Sequence, residues 1–353
     1  MGISNEECYV ALLSKTGMQG EAEGKVGALD VGLICVLKRM SRLVEKLIKT
    51  EGEAFEISEM SNGGASLVFR GPGVILKKLL DVHVPDPSQF NAIYTFEPYI
   101  AMAIECFKRF KLHGAFSSRR LASSVAEVAT LVNHFNMCVN EIRKEAASKQ
   151  FQSKLNCYRR SSNKNFKELM GYVDALFERY SRLLVLRVDI SYKKQFSRIT
   201  QAEVKRDRER LFENARSNKI FRDMVGYIWK LEHGPEKGFH YHVMFFFDGS
   251  KVREDGTLAE RIGRYWMDVV TRGRGLYYNC NASKWRYRNC GIGMVSYSDN
   301  VMREWGLREA VLYLTKTDLY MKLQTLGRGM GRANQPGSKD SRGRPRAKST
   351  VRV

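Results

Sequence analysis

Tyr227-Ile-Trp-Lys-Leu-Glu232-His-Gly-Pro-Glu-Lys-Gly-Phe-His240-Tyr-His242-Val-Met-Phe-Phe-Phe247 holds two β-prone runs separated by a Gly-Pro and Gly turn. Alternate side chains of a strand share a face. Tyr227, Trp229 and Leu231 therefore form one apolar face, leaving Lys230 and Glu232 opposite. Tyr241, Val243, Phe245 and Phe247 form the second, leaving His240 and His242 opposite. If both apolar faces lie on one core, Glu232 shares a side with the two histidines. Register then sets it across from His240 or His242 rather than Phe239. Two imidazoles and a carboxylate on one face are the makings of a divalent metal site. An N₂O set suits Mg²⁺ or Mn²⁺ and also tolerates Zn²⁺, and positions left open beside three protein ligands let an ion grip a phosphate. His233 falls in the turn and is expected to be exposed.

Working outward, Leu183–Ile190 is another β-prone run, with Arg187 and Asp189 on one face and Leu186, Val188 and Ile190 on the other. Residues 197–222 are charged and helical, Leu258–Thr271 reads as a helix, Leu276–Cys280 and Gly291–Tyr297 as strands, and Leu307–Leu323 as a helix. The order β-α-β-β-α-β-β-α implies an α+β fold, a central antiparallel sheet with packed helices. Upstream, Val125–Arg143 and Phe166–Leu184 carry helical periodicity, whereas Asn62–Gly73 and Pro85–Pro98 read as loops.

The chain has 353 residues and a formal charge of +21. Residues 1–100 hold 10 Lys/Arg against 13 Asp/Glu, so the remaining 253 carry +24. That asymmetry points to nucleic acid as the partner of the C-terminal two-thirds. Seven cysteines without a C-x-x-C pair argue for a reducing cytoplasm and against a disulfide framework or structural zinc. The apolar run Val26–Leu37 is short, contains Asp30 and ends at Lys38-Arg39, so it is expected as a core helix and no membrane partner is implied. Three regions follow: a mainly helical region 1–175, an α+β region 176–326 that holds the hairpin, and a basic tail 327–353. The tail has eight Lys/Arg, only Asp340 as an acid and almost no large apolar residue, so it is expected to be disordered. Within it, Arg342-Gly-Arg344-Pro-Arg346 resembles an AT-hook core whose arginines enter a narrow minor groove; a generic basic tail is the alternative.

Tyr313-Leu-Thr-Lys316 lies some seventy residues beyond the histidines. On a helix Tyr313, Lys316, Thr317 and Tyr320 form one stripe, while Leu307, Val311 and Leu314 can face the sheet. A phenol titrates near ~10 and is a weak nucleophile at neutral pH. A metal-polarised phosphate and a nearby ammonium, for which Lys316 is placed one turn away, both favour its attack.

The Glu232/His240/His242 hairpin, Tyr313-Leu-Thr-Lys316 and the strand Leu183–Ile190 resemble the ordered motifs of HUH-type rolling-circle replication endonucleases. Gly238–Ser250, Gly291–Met294 and Tyr313–Tyr320 are similar to the inovirus replication initiator (gene-II-type) family, which shares this domain with the cryptic-prophage proteins YagK and YfjJ. The resemblance covers roughly residues 180–330. It implies a single-tyrosine nickase working on a phage or plasmid origin, single-stranded or supercoiled, in the cytoplasm of a bacterial host. Tyr313 would attack a phosphodiester and keep the 5′-phosphate, with Lys316 as the motif lysine and Glu232, His240 and His242 as ligands of Mg²⁺ or Mn²⁺. The freed 3′-OH would go to a host polymerase, and a later transfer would rejoin the strand. Asp189 is placed to orient a ligand histidine from behind. Some relatives use two tyrosines, but Tyr320 is seven residues on rather than the usual four. No Gly-x-x-x-x-Gly-Lys-Ser/Thr occurs, so unwinding falls to a host helicase.

Three other readings compete. A DNA-binding protein of the same fold would recognise an origin or promoter without nicking. An RRM-like RNA binder would show a row of aromatics on its open sheet face, where this sequence has metal-ligand types. A metallohydrolase activating water has no further His/Asp cluster to hold a second metal.

Overall fold

The computed structural model describes residues 28–59, 65–82, 93–112, 125–196, 198–234, 237–287, 289–315 and 317–337. They form two compact units, one made of residues up to Ser161 with Thr317–Lys322, the other of Ser162–Lys316 with the segment from Leu323 onward.

The first unit is mainly helical. It holds α1 (Ala28–Leu47), the hairpin β1 (Phe55–Glu59) and β2 (Ala65–Phe69), α2 (Gly71–Leu80), β3 (Tyr94–Phe96), α3 (Pro98–Arg109), α4 (Val125–Ala147) and the start of α5 (Lys149–Arg179). Asn136 of α4 fastens the hairpin. Its Oδ1 accepts from the Ala54 and Phe55 amides at 3.0 Å each, and its Nδ2 donates to the Phe55 carbonyl at 2.9 Å. The loop expected over Asn62–Gly73 is instead strand β2 and the first turn of α2 over its described part; residues 60–64 lie outside the described residues. Gly71-Pro72 is a helix start rather than a loop, because proline at the first turn has no amide to leave unpaired. Pro98 does the same for α3, and of the loop expected over Pro85–Pro98 the part up to residue 92 lies outside the described residues.

Glu97 caps α3 by accepting from the Ile100 amide at 3.2 Å, and it is buried. Burial outweighs that hydrogen bond and the pull of Arg159, raising the carboxyl to about 7. The folded state therefore holds this proton more tightly than the unfolded chain does, so the stabilisation is complete below the ordinary carboxylate range and is lost as pH rises through about 7. We expect this unit to lose up to about 3 kcal/mol between pH 4.5 and pH 8 through Glu97. Glu97→Gln keeps the cap acceptor and should flatten that part of the pH–melting curve.

The second unit is built on a six-stranded antiparallel sheet. Its strands are β4 (Arg182–Tyr192), β5 (Met224–Gly234), β6 (Gly238–Asp248), β7 (Gly275–Asn279), β8 (Gly293–Ser296) and β10 (Met330–Arg332), in the order β10-β5-β6-β4-β7, with β8 sharing the β7 edge of β4. The strand β9 (Met321–Leu323) pairs instead with β3. One sheet face carries Leu184, Leu186, Val188, Ile190, Trp229, Leu231, Tyr241, Val243, Phe245 and Phe247 in a single buried cluster. The helices α6 (Gln201–Asn214) and α7 (Asp255–Tyr265), with a π-helical turn through Val270, contribute Val204, Leu211, Ala259, Ile262, Trp266 and Val270 to that cluster. Burying each of the larger aliphatic or aromatic side chains is worth about 1.5–3 kcal/mol. The start of α6 is fixed by a capping box, in which Thr200 and Glu203 satisfy each other's amides. On the other sheet face Tyr172 of α5 meets Phe246 edge-on, and α8 (Arg308–Thr315) lies against β5.

Two expectations are corrected. The helix expected over Leu307–Leu323 ends at Thr315; beyond it Met321–Leu323 is a strand, and the Tyr320 carbonyl accepts from the Glu97 amide at 2.8 Å. Strand pairing in the first unit overrides the helical period, so Tyr313 and Tyr320 do not share a helical stripe. The tail expected to be disordered from Gly327 contributes β10, whose Met330, Gly331 and Arg332 pair with Lys230, Trp229 and Ile228. An edge strand offers unpaired backbone groups to any extended segment, whatever its side chains. Arg342, Arg344 and Arg346 lie outside the described residues. Among the described residues, no helix is long and apolar enough to cross a membrane.

Candidate active site

The β5–β6 hairpin sets Glu232 directly across from His240 and Lys230 across from His242. All four side chains rise from the face opposite the apolar cluster and are buried. One ligand atom each from Glu232, His240 and His242 falls within 4.8 Å of the others, so the trio could hold a metal ion. His240 Nδ1 donates to the Gly238 carbonyl at 3.1 Å. Its Nε2 is then left as a bare lone pair, buried, 3.9 Å from Glu232 Oε2 and without a hydrogen-bond partner. Such an orphan costs about 1–3 kcal/mol, which a cation at this point would relieve. His242 Nδ1 donates to Asp189 Oδ1 at 2.8 Å, leaving Nε2 to face Glu232 Oε2 at 3.3 Å. Both imidazoles thus turn Nε2 towards one carboxylate oxygen, a donor set that fits a divalent cation.

The two imidazoles are shifted in opposite directions. Burial, reinforced by the neighbouring His242, lowers His240 to about 4, against the pull of Glu232. For His242 burial works in the same direction, but Asp189 and Glu232 overcome it and raise the imidazole above its ordinary value. Burial would raise both carboxyls. Instead, Arg187 and His242 hold Asp189 well below the carboxylate range, and His242, His240 and Lys230 do the same for Glu232. With Nδ1 of His242 committed to Asp189, Asp189→Asn can misorient the ring or reverse its tautomer. We expect this substitution to weaken Mn²⁺ binding about 10–100-fold by titration calorimetry, with the fold intact.

Tyr313 is on α8, whose Val311 and Leu314 are buried. Its ring meets that of His242 edge-on, with centroids 5.7 Å apart. The Arg187 guanidinium covers it at 4.2 Å from the ring centroid, a cation–π contact. Arg187 also pairs with Asp189 at 3.2 Å. Arg187 and Lys230 belong to the face that alternation assigned, but a positive charge on a strand reads as a solvated one, and only the fold reveals them as buried. Lys316 lies outside the described residues. His233, expected to be exposed, is half-buried at the end of β5, where it packs edge-on against Phe239 at 4.7 Å.

A family model, the YagK/YfjJ C-terminal domain, matches residues 145–327. The chain belongs to the YagK/YfjJ C-terminal domain family. The matched span runs from the end of α4 to just past β9 and contains the hairpin, Asp189, Arg187 and Tyr313. No curated protein and no solved structure gives a significant match to the chain.

Proposed function

We propose that this YagK/YfjJ-domain protein is an HUH-type, inovirus-initiator-like nickase that opens one DNA strand at a replication origin and later rejoins it. The observation that carries this reading is the contact of Tyr313 with His242 and Arg187, beside a buried trio able to hold a cation. Tyr313 Oη attacks the phosphorus of a phosphodiester. A phosphorus–Oη bond forms and the bond to the 3′-oxygen breaks. The phenolic proton is lost and the 3′-oxygen gains one, giving a 3′-OH and a 5′-phosphotyrosine. The exchange of one phosphodiester for another needs no energy source, so attack by a 3′-OH on the adduct reseals the strand. Glu232, His240 and His242 would hold Mg²⁺ or Mn²⁺, which would supply Lewis-acid polarisation of the phosphate. Arg187 holds the Tyr313 ring from one side and adds positive charge where negative charge develops. Asp189 keeps both Arg187 and His242 in place. The +24 of residues 101–353 supplies attraction for the DNA backbone.

The test is incubation with single-stranded or supercoiled DNA carrying the source element's origin, with Mn²⁺. A protein–DNA adduct through the 5′-phosphate, seen on a denaturing gel and by mass spectrometry, is expected. Its absence on the true origin overturns the reading.

Helix placement gives a separate test. Gly291 and Gly306 cross backbone to backbone, so that a Cβ on either would collide with the other segment. Gly306 lies in the turn that leads directly into α8. Gly306→Ala should displace α8 and lower adduct formation about 100-fold, as an ångström-scale misplacement does. Mn²⁺ binding, made on β5 and β6, should stay within a few-fold.

A further inference from the structure

Residues 280–287 start from a backbone bond to Arg187 and are tied back to Cys280 through the Tyr287 side chain. At their start, the Cys280 amide donates to the Arg187 carbonyl at 3.2 Å, and the Arg187 amide donates to Asn281 Oδ1 at 2.8 Å. Asn281 Nδ2 also donates to the Val185 carbonyl at 3.0 Å. At their end, the Tyr287 hydroxyl bonds the Cys280 thiol, where burial raises its pKa against the pull of the Arg187 charge. Asp255 braces the excursion by accepting from Lys284 Nζ at 2.8 Å and from Asn281 Nδ2 at 3.0 Å. The start of this short excursion therefore rests on Arg187, the residue stacked on Tyr313, and its end is tied to Cys280 beside it.

At its tip stands Trp285, 76% exposed, the most exposed of the large hydrophobic side chains among the described residues. The Arg286 guanidinium lies 5.0 Å from the indole centroid. Trp285 is two residues from Tyr287, so their Cα atoms are at most roughly 7 Å apart. A large flat ring exposed to water with a cation on it, in the segment that starts from a backbone bond to Arg187, matches the two faces of a nucleotide, a π-surface and an anionic backbone.

We propose that Trp285, with Arg286, is a stacking platform for a nucleobase of single-stranded DNA flanking the scissile phosphodiester. The inference rests on the nicking reading and adds the grip that holds the strand in line for Tyr313. Because every base has a π-face, the platform contributes affinity with little sequence preference.

The test uses the full chain carrying Tyr313→Phe, without divalent cation, so that binding is read without cleavage. A fluorescein-labelled oligothymidylate of about 16 nucleotides is titrated by anisotropy. Adding Trp285→Ala should weaken binding about 10-fold or more, whereas Trp285→Phe, which keeps a ring, should stay within about 3-fold. Both should melt with the parent, since the indole is solvent-exposed. Equal binding by parent and Trp285→Ala overturns the platform and leaves the nicking reading standing. A parent that binds no single-stranded DNA overturns the platform, and the adduct assay on the origin then decides the nicking reading separately. Loss of binding in Trp285→Ala, together with a wild-type protein that forms no adduct on its origin, upholds the platform and sinks the nicking reading alone.

Discussion

Tyr313→Phe is expected to abolish the covalent adduct with origin DNA, a loss on the order of 10³-fold or more, while binding the same DNA as the parent does. The change removes one oxygen and leaves the ring that meets His242 and carries Arg187. Packing and cation–π contact survive, so a fall in activity cannot be assigned to a collapsed site. The same variant separates the nickase from a DNA-binding protein of this fold. A binding protein would keep its whole function in Tyr313→Phe, and adduct persisting in the variant would move the nucleophile elsewhere. Quantifying the phosphotyrosine peptide by mass spectrometry reads this outcome directly.

His240→Ala is expected to lower Mn²⁺ affinity at least about 100-fold and to remove the metal-dependent rise in melting temperature. His240 contributes the buried Nε2 without a hydrogen-bond partner, the atom that gains most from a cation. In the metal-free protein its loss removes an unsatisfied buried atom, which offsets part of the cost of losing the ring's packing and its bond to the Gly238 carbonyl. Glu232 behaves differently. Its carboxylate compensates His242 and Lys230, so Glu232→Ala should destabilise the metal-free protein as well. A His240→Ala variant that binds Mn²⁺ like the parent would show that the trio is not the metal site.

The hairpin illustrates what could be read locally. Glu232 and His240 face each other because two alternating runs of fixed length flank one turn and both apolar faces need the same core. The β4 strand was legible for the same reason, and β7 and β8 were read as strands, but that both share one edge of β4 could not be deduced from their own short runs. The helical stripe from Tyr313 to Tyr320 failed because periodicity over so few residues is weak. The pairing of Met321–Leu323 with Tyr94–Phe96 joins segments more than two hundred positions apart in the chain. No local pattern records such a partner.

By itself the sequence determined the alternation that gathers His240, His242 and Glu232 on one face, the antiparallel order of the second unit, and the presence of a tyrosine on a later helix. These are properties of spacing, carried by the period of the strand and the helix. Only the tertiary structure decided that Arg187 is stacked on Tyr313, that Asp189 holds His242 by its Nδ1, and that Tyr313 meets the histidine. Each of these joins residues from different elements: the Asp189–His242 contact follows from the β4–β6 register, and the two contacts of Tyr313 depend on how helix α8 docks on the sheet. That docking depends on the Gly291–Gly306 crossing and the burial of Val311 and Leu314, contacts that exist only once the chain has packed.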